Sequence, residues 1–137
     1  MPQRRSLTMT DVQERYADKF VILVRYMILA AEDKRFVTYA ELNKLLGVSI
    51  EDLRDFAGFL GDFCDKQGYP YLNSLIINST DGMPGQNYFL WLQGNITNWA
   101  ENIAKCFSTF HVTLNQKKLY ANTSGLNDVI AAFLINK

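Results

Sequence analysis

Histidine is almost missing from this sequence; His111 is the only one. A histidine-rich metal site is therefore excluded, and a nucleophile–histidine triad would have to rest on His111 alone. The expected role of His111 is structural or at the surface. Cysteine is nearly as scarce. Cys64 and Cys106 sit inside amphipathic patterns beside Phe63 and Phe107, which predicts two buried, reduced thiols. No Cys/His spacing suits zinc, and no metal or cofactor is implied. An excess of positive charge is lacking too. Fourteen Lys and Arg balance fourteen Asp and Glu, so phosphate binding by the chain as a whole has no global driving force. Long apolar runs are absent: the longest, Phe20–Ala31, is interrupted by Arg25, and no membrane span is expected. Arg4 and Arg5 lead into Ser6–Thr10 and not into an apolar stretch, so no secretory opening is read and a cytoplasmic location is expected. Gly82-Met83-Pro84-Gly85 lacks the lysine and the following helix of a phosphate-binding loop.

What is present is core material. Hydrophobic residues make up 48% of 137, with nine Phe, seven Tyr and two Trp. A chain of this length buries enough surface to fold without staples. Residues 1–9 read as a disordered lead-in, and 10–137 as a single domain. Thr10 and Gln13 have capping-box spacing, and Val12, Tyr16, Phe20, Val24, Met27 and Ala31 then step at helical intervals, predicting one long helix over 11–32. Thr38 and Glu41 form a second capping box, and Gly47 ends that helix. Ser49 caps a third, which carries Leu53, Phe56, Ala57, Leu60 and Phe63 and stops at Gly68.

Leu72–Asn78 and Tyr88–Leu92 read as two strands of a hairpin whose tip holds Ser79–Gly82, Pro84 and Gly85. The order helix, turn, helix, hairpin over 10–92 predicts an α+β, winged-helix-like unit. Residues 93–137 then read as a C-terminal elaboration. It has a helix capped at Asn95 or Thr97, a second hairpin around Asn115-Gln116-Lys117, and a closing helix from Ser124 with Leu126, Val129, Ile130, Phe133 and Leu134. Trp91 and Trp99 are expected in the core; an exposed Trp91 would instead mark a partner surface.

Residues 36–82 carry a resemblance. Val37-Thr38-Tyr39-Ala40-Glu41-Leu42, Leu46-Gly47, Leu53–Gly61 and Ile76-Ile77-Asn78 with Gly82 resemble motifs of the O6-alkylguanine-DNA alkyltransferase and alkyltransferase-like family. The resemblance implies a DNA-binding winged helix in which Tyr39 helps turn a phosphate and Arg54 stacks into the gap left by a flipped base. Where that family keeps its nucleophilic element, this chain has Pro70-Tyr71-Leu72-Asn73-Ser74-Leu75, without thiol, His or Arg. Alkyl transfer needs an activated thiolate, so the likeness is to non-catalytic relatives, and no enzyme is expected.

Two readings of function follow. In the first, the chain is a non-catalytic winged-helix DNA-binding protein that uses Tyr39, Arg54, Lys34, Arg35 and Lys44. In the alternative it is a protein-interaction module, an inhibitor or adaptor of the kind a phage or mobile element encodes. It would present an acidic helix and polar hairpin tip, Glu51, Asp55, Asp62, Asp65, Asn78 and Gln86, to a basic or nucleic-acid-binding partner. The third helix has five acids (Glu51, Asp52, Asp55, Asp62, Asp65) against Arg54 and Lys66, a net of −3. Phosphates would repel it. No Lys or Arg lies between Asn73 and Lys105. Tyr39 also reads as an ordinary packing residue, and Arg54 as a partner for the acids around it.

Overall fold

A computed structural model describes residues 6–110 and 126–136. Among them the chain forms seven α-helices: α1 (Met9–Arg15), α2 (Ala17–Glu32), α3 (Tyr39–Leu46), α4 (Ile50–Gln67), α5 (Gln86–Leu92), α6 (Ile96–Thr109) and α7 (Leu126–Asn136). A 3₁₀ turn spans Leu72–Leu75, and two short strands, β1 (Val37–Thr38) and β2 (Ile76–Ile77), pair in parallel with Val37 opposite Ile76.

The middle of the chain forms from its local signals. Thr38 accepts from the Glu41 N–H to cap α3, and Ser49 accepts from Asp52 to cap α4. Gly47 and Gly68 end those helices with φ of 67° and 74°, in the left-handed region where a side chain would be strained. At the front of the chain Thr8, paired with Asp11, makes the capping box in place of Thr10. The predicted long helix is broken at Tyr16 (φ −133°, ψ 19°) into α1 and α2. There the Tyr16 ring turns edge-on to Phe56 of α4, with centroids 5.5 Å apart.

The winged-helix prediction is overturned. No β-hairpin or wing is present among the described residues, and the fold is mostly helical. Leu72–Leu75 is a 3₁₀ turn, β2 pairs with β1, and the predicted returning strand is helix α5. The reason lies in where the aromatic rings must go. Tyr88 and Trp91 are three apart, so a strand would point them to opposite faces and a helix puts them on one. Both rings reach the same cleft: Tyr88 bonds Ser74 (2.7 Å between oxygens) and the Trp91 indole N–H donates to Asp62 Oδ1 (2.8 Å). Upstream, Asn78 N donates to Met83 O and Gly82 N to Asn78 O, closing the loop before α5. Gly85, preceded by buried Pro84, is the N-cap of α5. The predicted second hairpin, with Lys117 and Lys118, lies outside the described residues, as do Arg4, Arg5 and His111.

The core forms where α2, α4 and α7 meet. Phe20 stacks on Phe133 (6.1 Å) and meets Phe56 and Phe63 edge-on, while Phe63 also abuts Phe133 and Tyr69. This packing fixes the inner face of α4 and leaves its Asp- and Arg-bearing face toward α5. No helix among the described residues is long and apolar enough to cross a membrane.

Candidate functional site

A groove follows that outer face. Its central hollow, about 280 Å³, is lined by Arg54, Asp55, Asp62, Asn73, Tyr88 and Trp91, with Tyr39, Phe59 and Leu7 at its margins. A second hollow of similar volume shares Tyr39 and Arg54 and adds Asn78, Gln86 and Asn87. A third, about 250 Å³, shares Asp62 and Trp91 and adds Asp65, Tyr71 and Leu92. From Arg54 to Asp65 is eleven residues of one helix, so the groove runs about 16 Å.

Each wall is held by its own chemistry. Trp91 donates to Asp62, meets Tyr71 edge-on at 5.0 Å and lies 6.3 Å from Tyr88. The Tyr71 hydroxyl donates to Asp65 Oδ1 (2.9 Å), which raises the pKa of that hydroxyl. Asp55 Oδ2 accepts from the Leu7 N–H (3.0 Å), tying the segment ahead of α1 to the groove. Gly61 lies under Trp91: a Cβ there would come within 2.4 Å of the indole and 2.6 Å of Asn73 Nδ2. Only glycine lets the two side chains converge so closely. Asn73 is 2% exposed, and its Oδ1 has no hydrogen-bond partner. A buried acceptor without a donor costs about 1–3 kcal/mol; the oxygen is closed off, although the Asn73 side chain as a whole borders the hollow.

Tyr39 and Arg54 do come together, with the guanidinium 6.0 Å from the ring centroid. Tyr39 is only 6% exposed, and burial pushes its hydroxyl up to about 12, with Arg54 opposing. Arg54 is exposed. The other proposed cations lie elsewhere. Arg35 follows α2 and is engaged by Glu41 (3.1 Å) and the Tyr26 hydroxyl, with its guanidinium over the Tyr26 ring. Tyr26 also donates to Glu41. Burial alone would raise the Glu41 carboxyl, but the hydrogen bonds from Tyr26 and Arg35 outweigh it and hold that carboxyl below its ordinary value. Lys34 and Lys44 are exposed, and neither lines the groove with Arg54. Of the residues in the interaction reading, Asp55, Asp62, Asp65, Asn78 and Gln86 all line the groove; Glu51, in the first turn of α4, does not.

The sequence reading missed Asn73. The available signal was an Asn-Ser pair set between Leu72 and the apolar Leu75-Ile76-Ile77, which only a tertiary contact could interpret. Cys64 and Cys106 are buried away from the groove lining, and burial pushes both thiols from an ordinary value near 9 up to about 12. In the folded protein both stay protonated at neutral pH and are expected to resist a disulfide reagent at pH 8, reacting fully once denatured. A raised folded pKa means that this contribution to stability is complete below about pH 9. It falls as the pH rises toward 12, because the unfolded thiols ionise first. Alkaline titration of the urea midpoint checks the sign; a midpoint that rose above pH 9 would contradict it.

Comparison of the chain with known protein families, with curated proteins and with solved structures finds no match.

Proposed function

We propose that this protein is an interaction module whose acidic, aromatic-walled groove between α4 and α5 receives a basic segment of a partner protein. The observation that carries this reading is the convergence of Asp55, Asp62 and Asp65 on a surface whose remaining walls are Tyr71, Tyr88 and Trp91. Carboxylates attract cations, and aromatic faces hold them by their quadrupole. With Arg54 as the one base among the lining residues, the groove keeps a formal charge of −2 (three acids against one base). The DNA reading keeps Arg54 beside Tyr39 as its support. It loses the wing, and Lys34, Arg35 and Lys44 lie off the groove.

The test is fluorescence anisotropy with a labelled peptide of alternating Arg/Lys and Gly, set against labelled duplex DNA at low salt. The peptide is expected to bind, and Asp62→Asn with Asp65→Asn to weaken it roughly 2- to 30-fold, the sum of two modest charge contacts. Asparagine keeps an acceptor for Trp91 and Tyr71, so the walls stay in place. Binding to DNA alone, lost in Arg54→Ala, would reverse the assignment.

A further inference from the structure

Charge is not uniform along the groove. The second hollow is lined by Tyr39, Arg54, Asn78, Gly85, Gln86 and Asn87, with no carboxylate among them. Arg54 is exposed and makes no ion pair among the described residues. Beside it stand three side-chain amides and the Tyr39 hydroxyl, which stays protonated at neutral pH. All of these groups can donate hydrogen bonds. The third hollow is the reverse: Asp62, Asp65, Tyr71, Trp91 and Leu92 line it, with no Lys or Arg. Asp62 accepts from Trp91 and Asp65 from Tyr71, and a carboxylate has acceptor sites to spare beyond one such bond. Lys105 lines a different hollow with Asp65 and forms no ion pair with it. The central hollow shares Arg54 with one end and Asp62 with the other.

From this arrangement we infer that the groove is a polarised docking site: its partner segment carries a basic residue for the Asp62–Asp65 end and a carboxylate for the Arg54 end. The inference rests on the basic-segment function assigned to the groove and adds a second charge, of opposite sign, to what that segment must bring. Arg54 stands eight residues from Asp62 and eleven from Asp65 on α4, about 12 and 16 Å along the axis. Both spans exceed the screening length of about 8 Å at physiological salt, so Arg54 does not cancel the acids and the two ends attract separately. An extended chain rises about 3.3 Å per residue, so roughly four residues cover the distance. Side chains four apart in such a chain point to the same face. At the Arg54 end a carboxylate can accept from the guanidinium fork, with the amides as further donors. Opposite charges at fixed places set the register of a bound segment and turn away one with the wrong spacing. A nucleic-acid backbone, anionic throughout, answers Arg54 and meets Asp62 and Asp65 with like charge.

The experiment measures anisotropy of two labelled peptides on the full chain. Both carry an Arg-Lys pair in a Gly/Ser background, and four residues away one has Glu where the other has Gln. Each is made with the variable residue before the pair and after it, because the charges of the groove do not set a backbone direction. In one of the two directions the Glu peptide is expected to bind about two- to fivefold more tightly than its Gln counterpart, the size of one exposed ion pair. The sign is decisive, since a groove that answered only to net charge would prefer the Gln peptide, which is more positive by one. Arg54→Gln is expected to remove the preference for Glu, and Arg54→Glu to turn it into a preference for Gln. Arg54 is exposed, so both variants leave the core intact. Absence of a Glu preference in both directions, or a preference that survives Arg54→Gln, would overturn the polarity and leave the basic-segment reading standing. Failure of the alternating Arg/Lys and Gly peptide to bind as well would overturn that reading itself.

Discussion

Phe20→Ala is expected to lower the unfolding free energy by about 3–5 kcal/mol, the cost of deleting a fully buried ring and leaving a cavity. Domains of this kind have about 5–15 kcal/mol in all, so the variant should stand close to the edge of stability. Phe20 has no solvent exposure, and it is the ring through which three helices meet. It belongs to α2, stacks on Phe133 of α7 and touches Phe56 and Phe63 of α4 edge-on. Removing it loses transfer energy and aromatic pairing together. The neighbours cannot all collapse into the space, because Phe63 is already held by Phe133 and Tyr69. Urea titration followed by far-ultraviolet circular dichroism measures the change. Phe20→Leu, which keeps most of the volume, should cost less than half as much. A loss below about 1.5 kcal/mol for alanine would mean that α7 does not seat against α2 and α4 as described.

The parts of this fold that were legible in the sequence are those decided by neighbours in the chain. Thr38 and Ser49 cap α3 and α4, and Gly47 and Gly68 end them, because capping needs only residues three or four positions apart. Asn95 caps α6 for the same reason. The misreadings fall where a distant partner decides. The run from Tyr88 to Leu92 is rich in aromatic residues that favour strands in general, yet such a preference reflects packing more than backbone. Here the packing partners are Ser74 and Asp62, unseen from the local pattern. Ile76 and Ile77 do form a strand, but their partner is Val37-Thr38, some forty residues back, and the pairing is parallel.

The site divides in the same way. Tyr39 and Arg54 were legible as residues of consecutive helices whose bounds the caps fixed, but their contact was not: it depends on how α3 and α4 pack. The acidic line Asp55, Asp62 and Asp65 was legible as a helix face. What no local pattern contains is the opposite wall. Trp91 was expected in the core, with exposure as the sign of a partner surface; it is half-buried, its N–H used and part of its ring lining the groove. Asn73 became meaningful only when Gly61 and Trp91 were seen around it.

Trp91→Ala is expected to weaken binding of the basic peptide about 30-fold or more, the size typical of a buried aromatic anchor. The ring contributes in three ways at once. It is the flat wall against which a guanidinium or a methylene stem would lie. Its N–H, 2.8 Å from Asp62 Oδ1, holds that carboxylate at the rim instead of letting it swing into solvent. Its contacts with Tyr71, edge-on at 5.0 Å, and with Tyr88, tilted at 6.3 Å, link the central and third hollows. Trp91→Phe separates these roles: it keeps a ring and loses the N–H, and should weaken binding only about 3- to 10-fold, the net worth of one hydrogen bond at a partly solvated site. The indole is only half-buried, and the Phe20–Phe63–Phe133 cluster lies on the other side of α4. Both variants should therefore remain folded, with circular dichroism to verify it. If alanine at 91 left affinity within about twofold while the peptide still bound, well below the anchor effect, the binding face would have to lie elsewhere on the protein. The carboxylates of α4 would then be reduced to a solvated helix surface.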